Sequence, residues 1–394
     1  MKRINNILAW AFVFGTLVGC SHEQLEMPSS EESNPSSGPV MEFGVNIGSR
    51  AQIIEGGEGT TLDELGLYGY QYANQMGSTW STAKTTARPN VFDNTPEPLT
   101  YEDEDGYYYP SKTYEWTGQK YAFFAHYPFE HSSFTNSPAT EPNTPYLTYT
   151  VDRSDVSKMA DIMTSARTDL TAVNRYVTFH MIHRLSAVDV DVCNIYQYNE
   201  TTGEGDDAVT TSQNVEIEIH SLVLNFSNLH YASSKIYLDA GGNSVPVEAA
   251  NPTASYALIN DTISIPYKTN EDAENYHLSA DNDLSMFFIP QKQDDLAVSV
   301  DIKFKKKLPN GTFLTNKDKV YTYDNAGNKT GEENAEGYGT EFFYVSNKSV
   351  NFEQSLDEGY RYFVTLNFTS AAVSINIVTA AQWEDSDDIK HEFD

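Results

Sequence analysis

The sequence predicts an all-β protein, and three observations carry that prediction. Apolar and polar residues alternate over many short stretches, as in half-buried strands, and Gly, Pro, Asn and Asp mark turns between them. No window with helical period and caps exceeds about two turns, the best being 62–65 and 155–163. The chain of 394 residues contains 26 Tyr, 20 Phe and 21% charged residues. This composition suits a β-rich globular protein built as sandwiches.

The chain opens with a pattern typical of a secretory signal peptide. Two basic residues precede an apolar run at 7–18, and Gly19 and Cys20 follow this run. A membrane-spanning helix needs roughly 20 apolar residues, so this run is too short for a confident span. We therefore expect a signal peptide over residues 1–19. Leu17-Val18-Gly19-Cys20 also resembles a bacterial lipobox, which makes Cys20 the predicted lipidation site. The alternative is an ordinary secreted protein with a chance Cys.

Residues 20–39 have the composition of a flexible linker. Ser, Pro and Glu dominate, and only two large apolar side chains occur in the stretch. Such a segment cannot bury enough surface to offset its ordering entropy. Glu23 and Glu26 lie close to Cys20, and acidic residues there resemble the signal that sends some Gram-negative lipoproteins to the outer face of the outer membrane. The expected location is therefore the cell surface, with the lipid in the outer membrane.

The first folded part is predicted over residues 40–172. Residues 40–49 alternate as one strand, and 121–127 alternate as another. Between them, residues 65–72 contain two alternating sets that are separated by a change of parity. The strands of this part are short and its later loops are rich in Pro. We expect a first β-sandwich domain here.

The second folded part is predicted over residues 173–394, where the strands are longer. Apolar side chains of one parity at 177–185 give way to the other parity at 188–192, and 215–219 gives way to 222–226 in the same manner. Successive side chains of a strand point to opposite faces. Each switch therefore predicts a bulge or a crossing from one environment to another.

The charge argues against a nucleic-acid partner, and the cysteine content argues against a disulfide. The chain has 25 basic and 56 acidic residues, which gives a net charge of −31. Nucleic-acid binding relies on basic side chains that neutralise phosphates, so no nucleic-acid partner is expected. A strongly acidic surface also keeps a protein soluble and repels copies of itself. With Cys20 used for lipid, only Cys193 remains, so no intramolecular disulfide is expected.

Motifs for catalysis or metal binding are not evident, so we expect no enzyme activity, no cofactor and no metal site. His180 and His183 are three apart, which places them on opposite faces of a strand. Residues 103–106 begin like a calcium loop, but the twelfth position is Tyr114, where an EF-hand needs Glu. Nucleophile-elbow, zinc-helix and phosphate-loop motifs are absent. A pair of catalytic carboxylates is not excluded among so many acidic residues.

Five aromatic residues in the first part invite a sugar-stacking interpretation. They are Trp80, Tyr107, Tyr108, Tyr109 and Trp116. The favoured interpretation is that they are core residues or cross-strand pairs. Under the other interpretation, a glycan would bind at Trp80 and Trp116.

Five short phrases follow one another along the chain. They are Tyr121-Ala-Phe-Phe-Ala-His-Tyr-Pro128, Asp161-Ile162-Met163 with Ala166, His183-Arg184-Leu185-Ser186, Phe288-Ile289-Pro290-Gln291, and Trp383-Glu384-Asp385. Together with the lipobox, their order and spacing resemble the fimbrillin or minor-fimbrium-like family of Gram-negative surface lipoproteins. The resemblance covers nearly the whole chain after the signal peptide.

The resemblance implies two tandem transthyretin-like β-sandwich domains. Family members are exported as lipoproteins and assemble into surface pili that serve adhesion. An arginine-specific protease cuts a loop after the first strand, and a strand of a neighbouring subunit fills the opened sheet edge. The implied partners are other pilin subunits through strand exchange and the outer membrane through the N-terminal lipid. Members that remain lipidated anchor the fibre.

The candidate cut lies between Arg50 and Ala51. Arg50 follows the predicted strand at 40–49 and is the first Lys or Arg after Arg3. The alternative is an ordinary turn Arg, since exposed loop tips are nicked commonly. The tail at 386–394 has only two apolar residues and makes a poor donor strand. This favours a tip, an accessory subunit or an anchor over a stalk subunit.

Two functions follow as hypotheses. The first is a fimbrillin-like structural subunit of a cell-surface pilus. The alternative is a surface lipoprotein that binds a glycan or host ligand without polymerising.

Overall fold

A computed structural model describes residues 38–47, 62, 64–102, 104, 107–134, 139–140, 144–203, 207–239, 242–259, 261–268, 275–279, 284–292, 295–352 and 354–378. The predicted signal peptide, almost all of the predicted linker and the tail beyond residue 378 lie outside the described residues. Cys20, Arg50 and Ala51 lie outside them as well. The described ranges belong to one compact unit.

Strands make up most of the described chain, which confirms the all-β prediction. The strands of the first part are β1 (Glu42–Ile47), β2 (Glu64–Tyr72), β3 (Glu97–Glu102), β4 (Tyr107–Pro110), β5 (Lys120–Tyr127), β6 (Ala139–Thr140), β7 (Pro145–Thr150) and β8 (Met163–Leu170). Those that follow are β9 (Tyr176–His183), β10 (Ser186–Asn194), β11 (Gln197–Thr202), β12 (Val209–Asn214), β13 (Glu216–Ser227), β14 (Tyr231–Tyr237), β15 (Ser244–Glu248), β16 (Thr253–Ile259), β17 (Ile263–Ile265), β18 (Tyr276–His277), β19 (Met286–Phe288), β20 (Ala297–Lys307), β21 (Lys319–Tyr323), β22 (Lys329–Asn334), β23 (Phe342–Asn351), β24 (Arg361–Phe368) and β25 (Val373–Val378). A short helix, α1 (Trp80–Ala83), lies between β2 and β3.

The two predicted helical windows have different outcomes. The window 62–65 is wrong, because β2 already begins at Glu64. The window 155–163 contains a one-turn 3₁₀ helix, Val156–Lys158, and its remainder is not helical. The carboxylate of Asp155 caps this turn by accepting a backbone hydrogen bond, as expected for Asp at a helix start.

Seven strands pair in a closed barrel in the order β1-β4-β3-β2-β5-β8-β9. The last strand, β9, returns to β1 and pairs with it in parallel, whereas the other neighbours are antiparallel. Side chains from all seven strands fill the interior, here called the barrel core. It comprises Met41, Phe43, Leu62, Leu65, Leu67, Phe92, Leu99, Tyr108, Trp116, Tyr121, Phe123, Ala125, Met163, Leu170, Val177, Phe179 and Met181.

A second cluster, the junction core, lies on the other face of β2 and β5. It comprises Tyr68, Tyr70, Trp80, Ala122, Phe124, Phe134, Leu147, Tyr149, Val151, Ile162, Leu185, Ala187, Ile236, Leu238, Phe287 and Ile289. Leu65 and Leu67 therefore face the barrel core, while Tyr68 and Tyr70 face the junction core. The change of parity in the sequence arises because β2 is one regular strand that is buried on both faces. Its ladder with β5 has no irregularity.

Two further sheets enclose the third cluster, the C-terminal core. One has the order β16-β13-β20-β23 with β17 also paired to β13, and the other has the order β18-β10-β24-β25 with β19 also paired to β10. Inward side chains such as Val190, Leu224, Val300 and Val364 fill the space between them. The two sheets thus pack face to face as in a β-sandwich, and alternate residues of their strands point into the core between them.

Both parity switches predicted for the second part have a structural cause. In β13, the pairing with β20 shifts register between Ile219 and Ser221, which is a β-bulge. At the other switch, the chain leaves the barrel after β9 and enters a different sheet as β10. The prediction of a bulge or a crossing is confirmed, with one example of each.

The predicted division into domains at 40–172 and 173–394 stays a prediction. A four-stranded sheet, β15-β14-β7-β6, combines strands from both sides of residue 172. The strand β9 follows residue 172 and pairs with β1 and β8 of the barrel. The junction core likewise takes side chains from both parts.

Two strand pairs stand apart from the large sheets as two-stranded ribbons. They are β11 with β12 and β21 with β22. Among the described residues, the helices are all too short to cross a membrane.

Candidate functional site

The candidate site is β1 together with the groove that it fills in the barrel. The proposed cut at Arg50 and Ala51 and the proposed lipidation at Cys20 lie outside the described residues, so both stay predictions. The strand that the cut would release is described over Glu42–Ile47. Burial alternates along this stretch as predicted. Met41 and Phe43 are buried, whereas Glu42 and Gly44 are partly exposed.

The backbone of β1 is held on both sides. On one side it runs parallel to β9, with six residue pairs from Glu42 opposite Tyr176 to Ile47 opposite Met181. On the other side it is antiparallel to β4, with Phe43 opposite Tyr108. The ladder with β9 is therefore the longer of the two attachments.

The side chain of Phe43 occupies an aromatic pocket in the barrel core. Its ring centroid lies 5.4 Å from that of Phe123, 6.1 Å from that of Phe179 and 6.3 Å from that of Phe92. Phe43 is 0% exposed and Met41, two residues earlier, is 2% exposed. Fully burying a side chain of this size contributes roughly 1.5–3 kcal/mol. These two residues fix the register of β1 in the groove.

Three hydrogen bonds made by Tyr114 and Trp116 hold the chain at the start of β1. The backbone N–H of Trp116 donates to the carbonyl of Pro39 at 2.8 Å, and that of Met41 donates to the carbonyl of Tyr114 at 2.8 Å. The indole N–H of Trp116 donates to the carbonyl of Arg175, just before β9, at 3.3 Å. The segment 112–118 thus ties the entry of β1 to the entry of β9.

The phenol of Tyr176, at this end of the groove, is uncharged near neutral pH. Desolvation and the nearby Glu42 carboxylate raise the pKa of Tyr176, against a smaller opposing effect of Arg175. The ring of Tyr176 stacks on that of Tyr107 at 6.0 Å between centroids. The groove therefore offers backbone hydrogen bonds and apolar pockets, which recognise an extended chain.

The sugar-stacking interpretation of Trp80 and Trp116 is wrong, because both are buried, at 2% and 3% exposure. Trp80 belongs to the junction core and donates its indole N–H to the carbonyl of Leu238 at 3.0 Å. Tyr108 is buried in the barrel core, and Tyr107 and Tyr109 are half-buried. The core interpretation is confirmed for the two Trp residues and for Tyr108.

The two histidines of β9 lie on opposite faces, as predicted. His180 is exposed, whereas His183 is buried and places Nδ1 2.6 Å from a carboxylate oxygen of Asp161. The part of the chain that the structure describes contains no group of three or more His, Cys, Asp or Glu side chains arranged to hold a metal ion. Three of the four residues at 103–106 lie outside that part, so the acidic turn there stays a prediction.

The sequence analysis missed a set of exposed tyrosines, Tyr321, Tyr323 and Tyr338. Two of them lie in β21 and the third follows β22. Their alternation with Val320 and Thr322 before a turn at 324–328 is visible in the sequence. The signal for a strand was therefore present, but nothing in it distinguishes an exposed ribbon from a buried strand.

The protein belongs to the class of all-β sandwich proteins. Its described chain consists mainly of strands, its sheets pack on common cores, and its first strand closes a barrel. Among solved structures, a fimbrial protein from Bacteroides vulgatus ATCC 8482 shares this fold with a TM-score of 0.54 and 15% identity, over 88% of this chain and 99% of that chain. The resemblance to fimbrillins is confirmed at the level of the fold. No family model and no curated protein matches the sequence.

Two other solved structures are similar at lower scores. A proposed cell adhesion protein from Bacteroides ovatus ATCC 8483 has a TM-score of 0.45 and 12% identity, over 89% of this chain and 99% of that chain. Another from Bacteroides uniformis ATCC 8492 has a TM-score of 0.41 and 12% identity, over 89% of this chain and 100% of that chain.

Proposed function

We propose that this chain is a fimbrillin-like structural subunit of a cell-surface pilus with a role in adhesion. The proposal is supported by the fold shared with a fimbrial protein. Its role is structural rather than catalytic, in keeping with a groove built from backbone hydrogen bonds and apolar pockets. Its partners are other pilin subunits.

The observation that carries the proposal is the position of β1 in the barrel. It lies between β9 and β4, so its removal leaves two unpaired strand edges beside the aromatic pocket of Phe43. Unpaired edges are templates for another chain. A strand from a neighbouring subunit restores the barrel if it runs parallel to β9 and places large apolar residues where Met41 and Phe43 were.

Processing at two places completes the proposal. Lipid on Cys20 holds the exported chain in the outer membrane, and cleavage between Arg50 and Ala51 frees β1 from the rest of the chain. An uncut, lipidated copy serves as an anchor, whereas a cut copy joins the fibre. Which of the two forms predominates on the cell distinguishes an anchor from a subunit built into the fibre.

The test is the intact mass and N-terminal sequence of the protein from the cell surface, beside an Arg50→Gln variant. A subunit of the fibre starts at Ala51 and migrates as detergent-resistant polymers, whereas the variant starts at acylated Cys20 and stays monomeric. Arg88→Gln is the matched control, since it removes another Arg and leaves the cut intact. A wild-type chain found only as an uncut monomer would contradict the strand-exchange proposal.

A peptide competition tests the groove itself. A synthetic peptide of residues 38–49 should fill the groove of cut subunits and block their polymerisation in solution. The same peptide with Phe43→Ser loses the residue that occupies the aromatic pocket, so polymerisation proceeds. Equal inhibition by both peptides would contradict the assignment of this groove.

A further inference from the structure

The exposed aromatic rings of the described chain gather in one place. Tyr321, Tyr323 and Tyr338 are 42%, 61% and 42% exposed. Each of the other Tyr, Phe and Trp side chains whose burial the structure describes is buried or half-buried. Within the described ranges, the open rings therefore lie in one segment of 18 residues, 321–338. Such clustering marks an interaction site more than scattered single exposures do.

Two of the three rings share one face of the ribbon β21–β22. Side chains alternate along a strand, so Lys319, Tyr321 and Tyr323 point to the same side. Opposite them on β22 stand Asn334, Glu332 and Lys329. We call this set the ribbon face. Tyr338 lies near the base of the ribbon, because its backbone N–H donates to the carbonyl of Ala335 at 3.0 Å. The backbone N–H of Ala335 in turn donates at 3.1 Å to the carbonyl of Asp318, the residue before Lys319.

Charges on the ribbon face compensate one another and orient a ring. Glu332 binds both Lys319 and Lys329, the latter at 2.7 Å. The Nζ atom of Lys329 also lies 3.8 Å from the ring centroid of Tyr321, within cation–π range. The ribbon face therefore combines open aromatic surface with polar groups that are already ordered.

The ribbon is held at its tip and at its base. At the tip, the Asp324 carboxylate accepts hydrogen bonds from the backbone N–H groups of Ala326 and Asn328 at 2.9 and 2.8 Å. At the base, the buried side chain of Asn316 donates to the carbonyl of Phe342 at 2.9 Å. Binding to a surface ordered in advance loses less conformational entropy.

The charge of the molecule selects the ligand. A net charge of −31 repels anionic partners. Protein interfaces also deplete Lys and Glu from their centres, whereas the ribbon face carries both beside its tyrosines. A neutral polyol meets neither obstacle, because its C–H faces pack on aromatic rings and its hydroxyls bond to amine, amide and carboxylate groups.

We propose that the ribbon face, with Tyr338, is a binding site for neutral oligosaccharides. The rings of Tyr321 and Tyr323 stack on sugar faces, and Lys319, Glu332 and Asn334 bond to hydroxyls. This site replaces the buried Trp80 and Trp116 as the place for a glycan. It goes beyond the structural role proposed above and is independent of strand exchange.

The test is binding of the purified chain without its signal peptide to a printed array of neutral hexose oligosaccharides, beside the same glycans capped with sialic acid or sulfate. The expected result is binding to neutral glycans that caps weaken. Titration with the neutral oligosaccharide that gives the strongest array signal measures the variants. Tyr321→Ala/Tyr323→Ala should weaken binding roughly tenfold or more, as two lost aromatic contacts imply.

Two controls keep the result specific. Tyr323→Phe keeps the ring and should keep most of the binding, whereas Tyr237→Ala removes a half-buried ring from another sheet and should change nothing. Flat arrays, binding only to capped glycans, or equal binding by the double variant would overturn the proposal. Self-association that the double variant abolishes, without glycan binding, would assign the face to a second copy instead.

The outcome is separable from that of the pilus proposal. Arg50→Gln blocks the predicted cut and leaves the ribbon untouched, so this variant should bind the same glycans with unchanged affinity. The double tyrosine variant should in turn assemble normally. A wild-type chain that binds neutral glycans but does not polymerise refutes strand exchange alone, and a wild-type chain that polymerises but binds no neutral glycan refutes the ribbon face alone.

Discussion

Burial sets the chemistry of single side chains, and His126 is a clear case. The residue is buried, with its ring 5.6 Å from that of Tyr68 and 4.9 Å from that of Phe134 between centroids. Gly66 lies against the imidazole, and a Cβ there would overlap it. Desolvation lowers the pKa of His126 to about 4. The imidazole is therefore neutral in the folded protein near pH 7.

A pH dependence of stability follows from His126. Its folded-state pKa lies below the ordinary value of 6.5, so the unfolded chain takes up its proton first and acid favours unfolding. The stability is fully present above pH 6.5 and declines as the pH falls towards 4. By linkage the loss reaches about 3 kcal/mol. Urea unfolding between pH 7 and 4 should show this extra loss in the wild type but not in His126→Phe.

The control for this prediction is His180→Phe, which changes an exposed histidine on β9. Its urea midpoints should fall with acid as steeply as those of the wild type. If His126→Phe retains the full acid dependence, other groups cause it.

Phe43 gives a second prediction at this scale. Phe43→Ala empties the aromatic pocket, and large-to-small changes of a buried Phe destabilise by about 3–5 kcal/mol. Gly44→Ala is the matched control on the other side of the strand, where a Cβ meets only Thr178 at ordinary contact distance. Urea unfolding of the uncut chain compares the two. A Phe43→Ala chain as stable as the control would show that β1 contributes little to the barrel.

Single residues also show which property could not be predicted from the sequence, namely burial. Alternation identifies a strand but not what packs on it, so Trp80 and Tyr321 look alike in the sequence. Trp80 is buried because α1 packs it against Leu238 of the junction core. Tyr321 is exposed on a two-stranded ribbon that pairs with no other strand of the described ranges. Burial depends on partners that are distant in the chain, and periodicity contains no information about them.

At the scale of elements, the bulge in β13 invites a deletion test. His220 is the extra residue between Ile219 and Ser221. Deleting it shifts one half of the strand by one position and turns either Ile217 and Ile219 or Leu222 and its successors away from the C-terminal core. We expect loss of soluble, folded protein, seen as a lost near-ultraviolet circular dichroism signal. His220→Ala keeps the residue count and should fold.

The elements divide into those that the sequence could predict and those that it could not. The strands at β20 and β24 follow from clean alternation, and both parity switches were recognised. The switch within β2 was read as a break, although one strand there has two buried faces. Which strands share a sheet was beyond sequence reasoning, because β7 pairs with β14 across more than eighty residues. Local patterns define strands, whereas long-range packing selects their partners.

At the scale of the molecule, the junction core makes a prediction about cooperativity. It takes Tyr70 and Phe124 from the barrel and Ile236 and Phe287 from beyond residue 173. Separating the parts would expose this shared apolar surface. We expect one calorimetric transition for the chain without its signal peptide, and we expect a fragment of residues 173–394 to aggregate. Two transitions, or a soluble folded fragment, would support the predicted division at 172–173.

The parallel ladder between β1 and β9 has a mechanical consequence. Parallel strands begin at the same end, so the start of β1 and the exit of β9 towards β10 lie at opposite ends of the ladder. A pull between the N-terminal side of β1 and the body of the protein therefore loads the ladder in shear. Its hydrogen bonds share the load and must fail together, whereas an unzipping geometry would break them one at a time. In the uncut, lipid-anchored form proposed above, β1 would therefore resist traction between the membrane and the barrel.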